Sequence, residues 1–257
     1  MRIYRRIAPL NSAPRVKALA GIGIDIDPQK GFVNVYEDES RWPAVERILV
    51  EFEMFAMSFS EFTEKERLEA KYLEAAADWH FDYPQPEDGY ESLTYDVSST
   101  CPECSKEWVQ RAPYRTKRSP SWGRRSFFSF NWAFGSIFVK TEVYEQVFRP
   151  IGVECLPLYL YKKETIVDGV VQLMPMESVH IDPSEMIAEI CPVCGKPTYN
   201  YPTRTFGPKV LNAHAQVVES IEWFGSGANP NHMFLVSQEI YRQIKGLRGL
   251  SFKPCAD

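Results

Sequence analysis

Two stretches near the start alternate apolar and polar side chains. Residues 22–26 and 32–36 each follow the two-residue period of a strand, and Asp27-Pro28-Gln29-Lys30-Gly31 between them has turn chemistry. The pattern predicts a β-hairpin over 22–36. Val50-Glu51-Phe52-Glu53-Met54 alternates again and reads as a strand, although residues 45–49 just before it also suit a helix. The period then changes. Leu68, Tyr72, Ala75, Ala76 and Trp79 recur at helical spacing behind Thr63-Glu64-Lys65-Glu66. That tetrapeptide is a capping box, in which the threonine hydroxyl and the Glu66 carboxylate each satisfy a free backbone N–H. A helix over 64–78 is expected, followed by a two-proline loop at 84–89. Prolines at 113 and 120 make residues 105–126 loop or edge strand.

The second half repeats itself. Residues 137–158 (IFVKTEVYEQVFRPIGVECLPL) align without gaps on 234–255 (FLVSQEIYRQIKGLRGLSFKPC) at an offset of 97. Val139/Val236, Glu142/Glu239, Tyr144/Tyr241, Gln146/Gln243, Gly152/Gly249 and Pro157/Pro254 are identical. Each copy reads as strand, helix, strand, with Thr141 and Ser237 as N-caps and the glycines where the chain turns after a short helix. Trp132 and Trp223 precede the two copies, and a Cys-Pro-x-Cys lies further upstream of each. Residues 98–160 and 188–257 are therefore expected to be duplicated units. The fold class is α+β, built from mixed short sheets and helices, with an N-terminal region over 1–97 and a duplicated region over 98–257.

Charge adds a contrast between the halves. Residues 1–100 hold 11 Lys/Arg and 19 Asp/Glu, whereas 101–257 hold 18 and 15, for a net charge of −5 over the chain. That balance excludes unselective DNA binding by the whole chain. Acids cluster over 61–96 among Trp79, Phe81, Tyr83, Tyr90 and Tyr95. They form either a solvated surface or a docking face for a basic partner. The basic stretch 106–125 carries Lys106, Arg111, Arg115, Lys117, Arg118, Arg124 and Arg125 among Trp108, Tyr114 and Trp122. It reads as a solvated loop, a nucleic-acid contact, or an intramolecular partner for the acidic segment. No apolar run is long enough to span a membrane, and the first residues lack a signal peptide's apolar core, so a cytosolic protein is expected.

Cys101-Pro102-Glu103-Cys104 and Cys191-Pro192-Val193-Cys194 are two knuckles. Two thiolates so spaced can point at one cation, about 2.3 Å from each sulfur for zinc, and four of them close a tetrahedron. The leading expectation is one structural Zn²⁺ shared by Cys101, Cys104, Cys191 and Cys194. Two unrelated pairs and a redox-active Cys-x-x-Cys are the alternatives. Four thiolates leave no open position for water, so a catalytic metal is not expected. His80, His180, His214 and His232 stand apart in the sequence; His180 or His214 would be the candidate to replace a cysteine at the metal. Cys155 and Cys255 read as buried small side chains. A zinc deaminase would need an upstream His-x-Glu, whereas His80-Phe81-Asp82 and His180-Ile181-Asp182 lack the glutamate. No phosphate loop, nucleophile elbow or His-Glu-x-x-His is present.

The two knuckles, with the terminal FLVSQEIY and GLRGLSFKP stretches, resemble the double-CXXCG-motif immunity proteins of bacterial polymorphic toxin systems. The resemblance covers 101–257; Ser105 stands where the first motif would carry glycine. It implies a metal role for the four knuckle cysteines, no catalytic residues, and a cognate toxin domain as partner. The acidic first hundred residues suggest that this toxin is cationic. The alternative is a zinc-ribbon nucleic-acid module using residues 106–125.

Overall fold

The computed structural model describes all residues except 9–11, 28–29 and 226–229. The chain folds into two units, Met1–Glu66 with Pro202–Thr205, and Arg67–Tyr201 with Phe206–Asp257.

In the first unit, β1 (Arg2–Ile7) is followed by α1 (Ala13–Gly21), β2 (Val33–Tyr36), α2 (Trp42–Glu51) and β3 (Ala56–Glu61). The sheet is antiparallel in the order β2-β1-β3. Ile7 lies opposite Val33 on one side and Ala56 on the other. Both helices cover one face, burying Leu19, Val45 and Ile48 against Ile7 and Val35. Residues 202–205 lie along this unit, where Arg204 forms a two-pronged ion pair with Glu37 and the Thr203 carbonyl accepts from Ser60 Oγ.

Two expectations fail here. Residues 33–36 form a strand, but it pairs with β1 rather than with 22–26. Residues 22–26 form no strand; Ile22, Ile24 and Ile26 pack into the core instead. Pro28 and Gln29 of the expected turn lie outside the described residues. The strand expected at 50–54 is the end of α2 and a turn through Glu53 at positive φ. Pro43 in the first turn and buried Val45 and Ile48 at helical spacing favour the helix.

The chain passes into the second unit within α3 (Glu64–Glu69). The capping box is present: Thr63 N–H donates to Glu66 Oε2 (2.7 Å), and Glu66 N–H to Thr63 Oγ1 (3.2 Å). The helix nevertheless stops at Glu69, and Tyr72–Ala77 is a strand, β4. This segment is paired on both sides, and two ladders of backbone hydrogen bonds override the helical bias of its Leu, Glu and Ala.

After β4 come α4 (Tyr90–Thr94), β5 (Tyr95–Asp96), β6 (Val109–Gln110), β7 (Arg115–Thr116), β8 (Phe127–Phe128) and β9 (Phe138–Lys140). A turn of α-helix, α5 (Thr141–Val143), runs through a π turn and a 3₁₀ turn to Ile151 and leads to β10 (Cys155–Leu160). Then follow β11 (Thr165–Leu173), β12 (Glu177–Val179), β13 (Ala188–Ile190), β14 (Pro197–Tyr199), β15 (Val217–Phe224), β16 (Asn231–Ser237), α6 (Gln238–Ile244) and β17 (Leu250–Pro254). The fold is α+β, as expected. One sheet has the order β7-β10-β11-β9-β8; the other runs β13-β14-β15-β16-β4-β17, with β12 on β15. β5 and β6 form a separate pair.

The duplication appears in the strand registers. Val139 lies between Phe127 and Val171, and its repeat equivalent Val236 lies between Val217 and Leu73. Pro157 faces Val171, and Pro254 faces Leu73. Each copy thus has a hairpin (β8–β9 or β15–β16), a helix, and a returning strand (β10 or β17). Each leaves a gap for one antiparallel strand. β11, which follows the first copy, fills the first gap; β4, which precedes the first copy, fills the second. An expected boundary near residue 98 therefore falls inside this unit, because β4 is a central strand of the C-terminal sheet.

The helices of both copies share one core. Val143, Tyr144 and Phe148 meet Ile240, Tyr241 and Ile244 in a buried cluster with Leu73, Phe127 and Val217. Fully burying each such aliphatic or phenyl side chain is worth about 1.5–3 kcal/mol. Ser237 caps α6, its Oγ accepting from Ile240 N–H (3.4 Å). In the first copy the cap position falls on Lys140 rather than Thr141, and no side chain caps it. Gly152 and Gly249 have positive φ where each copy turns.

Candidate metal centre

Both knuckles sit at the tips of short antiparallel ribbons. The first joins β5 to β6, where Asp96 faces Val109; the second joins β13 to β14, where Ile190 faces Pro197. The local turn is the same in each. Cys101 N–H donates to the Lys106 carbonyl (3.2 Å), and Ser105 N–H to the Cys101 carbonyl (2.8 Å). Cys191 N–H donates to the Lys196 carbonyl (3.1 Å), and Gly195 N–H to the Cys191 carbonyl (2.9 Å). Gly195 has φ of 71° and Ser105 has φ of 53°. Serine therefore occupies the left-handed position that glycine fills in the second knuckle, at a cost of about 1–2 kcal/mol.

The structure brings the two knuckles together across 90 residues. Cys101 Sγ is 3.8 Å from Cys191 Sγ, and Cys104 Sγ is 3.6 Å from Cys194 Sγ. All four sulfurs lie within 4.8 Å of one another. A regular tetrahedron with metal–sulfur bonds of about 2.3 Å has edges of about 3.8 Å. The four thiols are thus positioned to hold a metal ion, and the spacing is compatible with zinc. All six cysteines are free thiols.

The electrostatics divide the set. The N–H groups of Cys104 and Glu103 point at Cys101 and hold its thiol below the ordinary value, against the effect of burial. Those of Cys194 and Val193 lower Cys191 further, to about 6. Burial pushes Cys104 up to about 12. One thiol of each knuckle is thus made acidic by its own turn, while the half-buried Cys104 gains most from a cation that compensates its charge.

Two lysines escape a reading that stops at the cysteines. Lys106 is fully buried, and its Nζ donates to the Lys196 carbonyl (2.7 Å), tying one knuckle to the other. Lys196 pairs with Glu107 (2.7 Å); that contact and the nearby Cys194 and Cys104 raise its pKa. The sequence signal was a shared six-residue frame, Cys-Pro-x-Cys-Ser/Gly-Lys. Lys196 thus sets one cation near Cys104 and Cys194, where a tetrathiolate site carries negative charge.

The other candidates lie elsewhere. Among the described residues the cluster contains no histidine. His180 Nδ1 is 2.8 Å from Glu222 Oε1, and the His214 backbone N–H donates to Glu177. Cys155 is half-buried in β10, and Cys255 is buried just after β17, bridged to Gly207. Much of the basic stretch 106–125 is occupied internally. Lys117 pairs with Glu87 (2.6 Å), Arg118 with Asp82 (3.5 Å) and Arg115 with Glu164 (3.0 Å), and Arg125 lies 4.8 Å over the Trp79 ring. Glu87 and Asp82 belong to the acidic segment, so these two stretches neutralise part of each other. The acidity of the first hundred residues is also concentrated. Residues 67–100 hold eight acids against two bases, and they belong to the second unit.

Among the described residues no helix is long and apolar enough to cross a membrane. No protein-family model and no curated protein sequence matches the chain.

Proposed function

We propose that the protein is an immunity protein, which binds a cognate toxin domain and blocks it without catalysing a reaction. Its scaffold is set by a structural zinc ion on Cys101, Cys104, Cys191 and Cys194. The observation that carries this reading is the donor set: four sulfurs, two from each knuckle, with no position left for water or substrate. A bound zinc ion contributes folding free energy, on the order of 10 kcal/mol for a structural site. The resemblance of the knuckles and the C-terminal stretch to the double-CXXCG immunity proteins supplies the functional direction. The acidic segment supplies the partner's character. Asp78 and Asp88 are exposed there, and such a surface accelerates encounter with a basic toxin domain.

The reading predicts a toxin domain encoded by a neighbouring gene, and co-expression with that domain, scored by growth, is the test. Rescue of growth and co-purification of the two proteins are expected. Charge reversal at Asp78 and Asp88 is expected to slow association and weaken its salt dependence. Undiminished killing in the presence of folded protein would remove the immunity reading. The metal reading is separate. Elemental analysis should find one zinc per chain, and C104S should lose both the metal and thermal stability. A metal-free protein whose melting curve is unchanged by C104S would remove it.

A further inference from the structure

A cavity in the unit Arg67–Tyr201 with Phe206–Asp257 is unrelated to the cysteines. It encloses about 420 Å³, within the range of small-molecule sites. Three of the chain's six tryptophans, Trp108, Trp132 and Trp223, line it together with Tyr95, Phe134 and Glu219. No lysine or arginine is among its described lining residues. An aromatic-walled cavity with a carboxylate, His232 and neither lysine nor arginine has a chemical preference. Ring faces and Glu219 both present negative potential, so the complementary guest is positive and weakly hydrated.

The walls are held in place. Trp108 stacks on Tyr95 (centroids 4.8 Å, planes 19° apart), and Trp223 lies 3.8 Å from the His232 ring. A register shift in β15 falls between Glu219 and Trp223, and both residues line the cavity. Bulges of this kind re-aim side chains near functional sites. Ser178 Oγ donates to Glu219 (2.9 Å) and fixes the carboxylate. Trp132 is the most unusual member. Its φ is 68°, a left-handed conformation that is a strained outlier for a bulky residue, and its side chain is 42 % exposed. The Tyr83 ring packs against it at 4.5 Å, and its carbonyl accepts from Tyr90 OH. The fold thus holds a large aromatic group, at a conformational cost, where it gains little burial.

The duplication provides an internal comparison. By the strand registers, Leu173 and Pro175 of this cavity correspond to Ala75 and Ala77, which line a second crevice of about 550 Å³. That crevice has no tryptophan among its described lining residues. The three tryptophans therefore line one of the two crevices, Trp108 and Trp132 coming from the first copy and Trp223 from the second.

We propose that this cavity binds an alkylated ammonium group, held by Trp108, Trp132 and Trp223 through cation–π contact and by Glu219 through charge. The group can come from a free small molecule or from a lipid headgroup. The inference does not depend on the immunity reading or on the metal.

Titration of the full chain with choline, followed by tryptophan fluorescence and calorimetry, tests it. The control is choline's neutral isostere, with a tert-butyl group in place of trimethylammonium. Choline is expected to bind at least about tenfold more tightly than the isostere, a difference of about 1.4 kcal/mol. W132L and E219Q should each weaken choline binding with the melting temperature retained, and W132F should recover part of it. Phosphatidylcholine vesicles distinguish the two sources, since a headgroup site will bind them more tightly than choline itself, and tighter binding of a trimethyl-lysine peptide than of both would overturn the assignment to a small molecule or lipid. Equal affinity for choline and its isostere, or no binding of any of the three ammonium probes, would overturn the proposal.

Discussion

Gly152 and Gly249 are equivalent in the repeat, yet alanine should affect them very differently. Both have positive φ, 81° and 112°, so a Cβ at either site costs about 1–2 kcal/mol in backbone strain. At Gly152 nothing lies within 4 Å of the added carbon. At Gly249 it would lie 2.2 Å from the Phe127 carbonyl oxygen, 2.9 Å from its carbon and 3.0 Å from its nitrogen. These are backbone atoms of β8 in the other copy, so no rotamer change can clear them. The corner is also fastened there: Ser126 and Phe127 N–H groups donate to the Arg248 carbonyl, and Asp78 N–H to that of Gly249. Relieving the overlap means moving β8 away, and overpacking of this kind adds about 1–3 kcal/mol. G152A should therefore cost about 1–2 kcal/mol and G249A about 2–5 kcal/mol. For a domain of this size each kcal/mol lowers the melting temperature by about 2–4 °C. Calorimetry of the two variants, with circular dichroism to confirm folding, reads the difference. Equal shifts would refute the argument, because they would mean that the seam between the copies is looser than its hydrogen bonds imply.

Two further predictions concern single side chains. K106M should lower thermal stability by about 1–3 kcal/mol, because the Lys196 carbonyl keeps the Cys191 N–H but loses its charged second donor, and it should speed release of a bound metal ion to a chelator. Unchanged release would separate Lys106 from the metal centre. Glu177 accepts from the His214 and Ala215 N–H groups, which hold its carboxyl below the usual range. Its folded pKa lies below its unfolded one, so its contribution is present above about pH 4.3 and fades as pH falls through the folded value. E177Q should therefore lose stability at neutral pH and show a shallower acid limb in a melting-temperature series; parallel acid limbs would contradict it.

The sequence carried the local devices of this protein. A capping box, a serine cap, two turn glycines and two knuckle turns are each set by a few neighbouring residues, and each was readable. The repeat was readable too, because the same strand–helix–strand unit left the same spacing of apolar residues twice. Tertiary structure decided what local signals do not encode. The segment 72–77 has the composition of a helix and became a strand because two distant strands supply its hydrogen-bond partners. Residues 33–36 found β1 instead of their sequence neighbours. The cysteine pairs announced a metal, but only the meeting of two ribbon tips 90 residues apart makes them one site, with Lys106 crossing between them. The aromatic cavity had no sequence signature, since Tyr95, Trp108, Trp132 and Trp223 have no common period. Short-range chemistry is written in adjacent residues; strand partners and cavities depend on which surfaces the whole chain buries together.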